Sequence, residues 1–274
     1  RERRRQCESE ARLKEKGRLA GEWRGCLFCR QSDGGFTSRE HVFSEGLGND
    51  QIILPPGVVC DRCNNRYLSR LDQILLDFMP ISIRRTMLGV TTKAGVLPRF
   101  RFSEGTVEHV PGVGGADPTL IVNERGPRPM IQEIQRSPDD KVKLEWKGSG
   151  GRRMTPRYAA ELSNALLKTA MECAWIDHGE MMLEARFDHV RQAVLGKPRD
   201  GFFALGLKLN PDSTHVALTY NLLDMGDGTW RMPVIADLFG VCLVTDSRLS
   251  KVDAEVSAED VSVISFAQNG KGAA

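Results

Sequence analysis

The chain has 274 residues, of which 41% are hydrophobic and 27% charged, with a formal net charge of +2. This is ordinary globular composition, enough for one large or two modest domains. It excludes a membrane-spanning class, because no run approaches the ~20 apolar residues a span requires. A balance this close to neutral also excludes nucleic-acid binding through a whole-molecule field, so any such contact must come from local clusters.

Residues 1–24 read as a charged helical arm, with Glu8–Arg12 and Glu10–Lys14 at i,i+4 spacing. The arm has no apolar stretch of the kind a secretory signal carries. Residues 26–60 follow as a knuckle, a hairpin and a loop. Gly34–Gly35 supplies a turn, Phe36 to Phe43 alternates as a strand, and Gly46, Gly48 and Asn49 mark a flexible loop. A short apolar run, Ile52 to Leu54, precedes a turn at Pro55-Pro56-Gly57. From Arg62 the period becomes helical. Leu68, Leu71, Ile74, Leu75 and Phe78 share one face, Arg62, Arg66 and Arg70 line the other, and Pro80 is expected to close the helix.

Residues 89–154, rich in Gly and Pro with short alternating pieces, predict a β-rich connector. Thr155–Pro156 is a helix start, and Leu162, Leu166, Ala170 and Cys173 then form an apolar stripe to about Ile176. Four apolar or alternating runs, 202–209, 215–220, 232–239 and 240–246, predict a sheet packed on that helix. The organisation expected is an arm (1–24), a metal-bearing unit (25–88), the connector (89–154) and a C-terminal α+β domain (155–274).

Chemistry concentrates in the second segment. Two Cys-x-x-Cys pairs, Cys26–Cys29 and Cys60–Cys63, supply the four thiolates of a tetrahedral Zn²⁺ site. Seven cysteines, an odd count with four in ligand spacing, favour a reducing, cytoplasmic compartment over a disulfide scaffold. About thirty residues separate the pairs, against the roughly 15–20 of a plain zinc ribbon. The interval holds Glu40 and His41, the latter the sole histidine of the first hundred residues, and Asn64 and Asn65 directly follow the last ligand.

The stretch CLFC, then SREHVFSEGLGNDQIILPPGVVCDRCNNRYLSRLD, resembles the zinc-containing branch of the HNH endonucleases. The resemblance covers residues 26 to about 78. It implies an α+β chain whose N-terminal zinc-stapled ββα-metal module cleaves DNA, RNA being an alternative substrate, with no membrane involved. His41 would be the general base, since an imidazole with a pKa near 6.5 is largely neutral at physiological pH. Glu40 would bind the catalytic Mg²⁺ or Mn²⁺ through oxygen, and Asn64 would complete that site, with Asn65 competing for the role. Successive strand residues face opposite ways, so Glu40 and His41 can share a site only if the strand ends or bulges there. Asn64 equally suits a plain helix N-cap.

Two departures from the family pattern stand out. The position of a further helix histidine found in colicin-type members is Leu68 here. The family's middle Asn, which steadies the base, is missing before the second knuckle, and Asn49 is the nearby substitute. The stripe Arg62, Arg66 and Arg70, with Arg84 and Arg85 beyond, suits phosphate contact or a solvated face. Cys173 and Cys242 read as small buried hydrophobes, and the other histidines lack ligand spacing.

A rival reading is a non-catalytic zinc module that binds nucleic acid or protein, and which has no use for a Glu-His dyad. A third has the C-terminal domain sense a ligand or partner and restrain the nuclease. Restriction and phage defence are settings suggested by family association alone.

Overall fold

The computed structural model describes residues 25–96, 98–102, 105–110, 119–124, 156–197, 206–210, 213–228, 230–247 and 262–266. The expected charged arm and much of the connector lie outside them.

The first unit is a hairpin leading into a helix. Strands β1 (Glu40–His41) and β2 (Ile53–Leu54) pair antiparallel, Glu40 opposite Leu54 and His41 opposite Ile53. The strand expected over Phe36–Phe43 contracts to two residues because its first half is hydrogen-bonded elsewhere. The Asp61 carboxylate accepts the backbone N–H groups of Thr37 (2.9 Å) and Ser38 (2.7 Å) as well as both hydroxyls. Those amides are then unavailable to a ladder. These bonds hold the Asp61 carboxyl down at about 2. Gly35 is more than a turn residue: a Cβ there would lie 2.5 Å from Asp61 Oδ2.

The helix α1 comprises Asp61–Cys63, a π-helical turn over Asn64–Leu68, and Ser69–Leu76. Cys60 caps it, its Sγ accepting the Cys63 N–H at 3.4 Å. Leu68, Leu71, Ile74, Leu75 and Phe78 are all buried, as their spacing predicts. Each such side chain contributes about 1.5–3 kcal/mol. Pro80 does not close α1, which ends at Leu76. It opens α2 (Met79–Met87) instead, in the first turn, where a missing N–H costs nothing.

Strands β3 (Arg99–Phe102), β4 (Gly105–Val110) and β5 (Thr119–Glu124) form an antiparallel meander in the connector. Helix α3 (Pro156–His178) then runs through the middle of the protein, with Leu162, Leu166, Ala170 and Cys173 buried as the stripe requires. Two 3₁₀ turns and α4 (Asp188–Val194) follow. Strands β6 (Gly206–Leu209), β7 (Val216–Tyr220), β10 (Pro233–Leu238), β11 (Val241–Asp246) and β12 (Ser262–Phe266) make an antiparallel sheet in the order β12-β7-β10-β11-β6. A small hairpin, β8 (Leu223–Asp224) with β9 (Trp230–Arg231), turns through Gly226–Gly228.

Helix α3 packs against α1 and against β7, β10 and β11. One hydrophobic cluster therefore runs from Cys26 to Leu243, across the limits expected between the metal-bearing unit and the C-terminal domain. The fold is α+β. Among the described residues no helix is long and apolar enough to cross a membrane.

Candidate metal centre and the His41 site

The sulfurs of Cys26, Cys29, Cys60 and Cys63 all lie within 4.8 Å of one another, and Cys29 Sγ is 3.7 Å from Cys60 Sγ. Tetrahedral Zn–S bonds of 2.3 Å place neighbouring sulfurs about 3.8 Å apart. The first knuckle closes through Arg30 N–H to Cys26 O (2.8 Å), with Arg30 at φ 61°. The Cys60 N–H donates to Cys26 Sγ at 3.4 Å. A hydrogen bond from Cys63 draws Cys26 down to about 5 and pushes Cys63 itself up, while burial lifts Cys29 to about 11. Four thiols this close cannot all ionise unaided, and a divalent cation removes the conflict. The set can hold a soft tetrahedral ion such as Zn²⁺.

His41 stands at the end of the two-residue strand. Its Nε2 lies 3.3 Å from Glu45 Oε1, and Glu45 Oε2 lies 2.8 Å from Lys93 Nζ. Burial lowers the His41 pKa below its usual 6.5, against the opposing pull of Glu45 and Glu40. The imidazole is therefore neutral near pH 7. The Glu45 carboxylate beside Nε2 favours the tautomer with its proton there, which leaves Nδ1 as a base. Glu45 is absent from the sequence-derived set. Its signal is the i,i+4 spacing from His41, which matters only because the chain turns into a 3₁₀ segment, Glu45–Leu47, capped by Ser44.

Asn49 is a buried brace. Its Nδ2 donates to Phe43 O (2.8 Å) and Ile52 O (3.0 Å), and its Oδ1 accepts the N–H groups of Gln51 (3.2 Å) and Ile52 (2.9 Å). One amide thus ties together both ends of the loop that carries Glu45, beginning two residues after His41.

Glu40 faces the other way, as alternation along a strand requires. It is 4% exposed, and its Oε1 lies 2.6 Å from the ammonium of Lys168 on α3. Lys168, 0% exposed, also meets Asp72 Oδ1 (3.0 Å) and Glu172 Oε2 (3.3 Å), and donates to the His41 carbonyl (3.2 Å). Burial pushes Asp72 and Glu172 up. Burial alone would pull Lys168 down, but Asp72, Glu172 and Glu40 together hold it well above its ordinary value.

Asn64 is not a helix N-cap, a role Cys60 takes. It lies in the π turn, and its Nδ2 donates to Arg39 O at 3.2 Å, joining α1 to the residue before β1. Asn65 is exposed, with its carbonyl taking the Ser69 hydroxyl at 2.8 Å. The structure thus brings Asn64 beside β1 but does not bring Glu40 and His41 to one face. Among the described residues the four cysteines are the sole cluster of metal-ligating groups. Glu40 and Asn64, as placed, do not form a fit for Mg²⁺ or Mn²⁺.

The arginine stripe divides. Arg70 is paired with Glu161 at 2.6 Å, while Arg66 lies over the Tyr67 ring at 5.6 Å. Arg62 is exposed on the rim of a cleft of about 410 Å³ beside the first knuckle, which Arg30, Tyr67, Arg191 and Lys197 also line. Arg191 is consumed by Leu27 O (2.8 Å), Glu184 O (3.0 Å) and Asp188 Oδ1 (2.6 Å). Compared with family models, curated proteins and solved structures, the chain matches none.

Proposed function

We propose that the hairpin–helix unit hydrolyses nucleic-acid phosphodiester bonds, DNA first, with His41 as general base. The observation that carries this reading is the neutral imidazole on the hairpin, oriented by Glu45 and steadied through Asn49, beside a four-thiol metal centre. In such a reaction Nδ1 takes a proton from water and the water oxygen bonds to phosphorus. One P–O ester bond breaks, and the leaving oxygen takes a proton from solvent. Mg²⁺ or Mn²⁺ usually supplies charge neutralisation in this chemistry.

The test is incubation of the purified chain with plasmid DNA and with RNA, with and without Mg²⁺ or Mn²⁺, beside His41→Ala. Loss of a general base costs 10²–10⁴-fold, so cleavage should fall by ~100-fold or more while folding and zinc content persist. Cleavage by His41→Ala at the parental rate refutes the assignment. The burial of Glu40 against Lys168 favours a second reading, a zinc module that binds nucleic acid or protein without cutting. Absence of cleavage under every ion condition, with binding retained, selects it.

Arg62 and Arg66 are the phosphate contacts this reading retains from the stripe, because Arg70 is already paired. Replacing either with Ala should weaken binding evenly across DNA sequences. It should also lower the slope of log affinity against log salt by about one. Arg70→Ala should leave the slope unchanged. Equal slopes for all three variants and the parent would make the stripe a solvated face.

A further inference from the structure

The Glu45–Leu47 turn is flanked by a cation that the proposed chemistry has not used. Arg85, on α2, is only 7% exposed, yet its guanidinium makes no hydrogen bond or ion pair to any described residue, and Nε is fully enclosed. Its neighbour Arg84 is the contrast. Arg84 Nε and Nη2 donate to Phe239 O (2.8 Å) and Ser213 O (3.0 Å), strapping α2 to the sheet. Arg85 has no such task.

Its position is specific. A Cβ at Gly46 would lie 3.3 Å from Arg85 Nη2 and 2.6 Å from Leu76 Cδ1, so glycine is what lets the guanidinium reach the turn. The residue before Gly46 is Glu45, which joins His41 to Lys93, and Lys93 is 80% exposed. With His41 neutral, the Glu45 carboxylate is matched by Lys93, and Asp77 supports the charge of Arg85 against its burial without reaching it as an ion pair.

A largely buried guanidinium whose Nε has no acceptor is expensive, because that donor loses water and gains nothing. An anion with several acceptor oxygens removes that cost, and a phosphate group fits the fork best. We propose that Arg85, assisted by Lys93, forms an anion site beside His41 that takes a phosphate group of a nucleic-acid strand. The identity of the strand rests on the hydrolase reading above. The anion site itself does not.

Thermal unfolding of the full chain, titrated with sodium phosphate against sodium chloride at equal ionic strength, separates the two. The parent should show a saturable rise in Tm with phosphate alone, and His41→Ala should retain it. Arg85→Met, which keeps the length and removes the charge, should abolish the rise. Without phosphate its Tm should equal or exceed the parent's, because an apolar isostere leaves no enclosed donor unpaired. A short single-stranded oligonucleotide should bind Arg85→Met about 10-fold or more weakly than the parent.

Three results overturn the proposal: no phosphate-dependent rise in the parent, a rise that survives in Arg85→Met, or a lower Tm for Arg85→Met without phosphate, which would make Arg85 a structural strut. A rise with inorganic phosphate but unchanged oligonucleotide affinity overturns the nucleic-acid part alone. Failure of His41→Ala to lose cleavage, with the phosphate rise intact, would instead count against the hydrolase reading.

Discussion

Removal of the metal from Cys26, Cys29, Cys60 and Cys63 is expected to unfold the hairpin and α1, and to loosen the core beyond them. Purified protein should contain close to one Zn²⁺ per chain. The centre ties the first knuckle to the start of α1 within a core that includes the buried Leu27, Phe28, Val58 and Val59. Leu27 N–H donates to Val58 O at 2.8 Å, and the cysteines themselves are largely buried. A structural zinc site supplies on the order of 10 kcal/mol or more, comparable with the entire net stability of a domain at 5–15 kcal/mol. The same hydrophobic cluster continues from Cys26 to Leu243. Chelation should therefore lower Tm for the chain as a whole, with no independent C-terminal transition left unmoved.

Cys60→Ser is the sharpest single variant. A serine hydroxyl can still cap α1, since oxygen accepts from an N–H at least as well as sulfur. It cannot replace a thiolate at zinc. Loss of stability with the cap preserved therefore assigns the effect to the metal. A protein without zinc, or a Cys60→Ser variant that melts with the parent, would remove the centre from the account.

Local patterns in the sequence carried over well into structure. The cysteine spacing, the apolar face of α1, the stripe on α3 and four of the five sheet strands all follow from periodicities of 3.6 or 2. What was not legible depends on distant partners. Nothing local says that Asp61 will take the amides of Thr37 and Ser38 and so shorten β1. Pro80 marks both an end and a beginning, and its neighbours do not decide which. Strand β12 was unread because Val263 and Ile264 interrupt the alternation.

The candidate site divides along the same line. His41 and the cysteines announce themselves by type and spacing. Glu45 acts on His41 only through a 3₁₀ turn. The one visible signal of the buried ion network was the pair Lys168 and Glu172 at i,i+4 within an apolar stripe.

That network sets the second large effect. Lys168→Met should lower Tm by about 10 °C or more, because removing one partner of a buried ion network costs ~3–5 kcal/mol. Here it leaves Glu40, Asp72 and Glu172 facing one another without a cation. Glu172→Gln should be mild by comparison. Burial raises the Glu172 carboxyl well above its ordinary 4.5, so folding favours its neutral form, which an amide resembles.

The pH dependence follows in sign. A carboxyl raised on folding binds more protons folded than unfolded, so its contribution is complete below about pH 4.5 and is lost as pH rises through the folded value. Parental stability should therefore fall as pH rises above about 4.5, and Glu172→Gln should flatten that fall. A flat parental profile, or a Glu172→Gln variant as damaged as Lys168→Met, would show that the carboxylate is ionised and contradict the arrangement. Lys168 also donates to the His41 carbonyl. Its replacement should consequently disturb the candidate base even at temperatures where the chain remains folded, whereas Glu172→Gln should leave the base in place. The loss of Lys168 thus reaches His41 through the backbone, and makes helix α3 part of what positions the site.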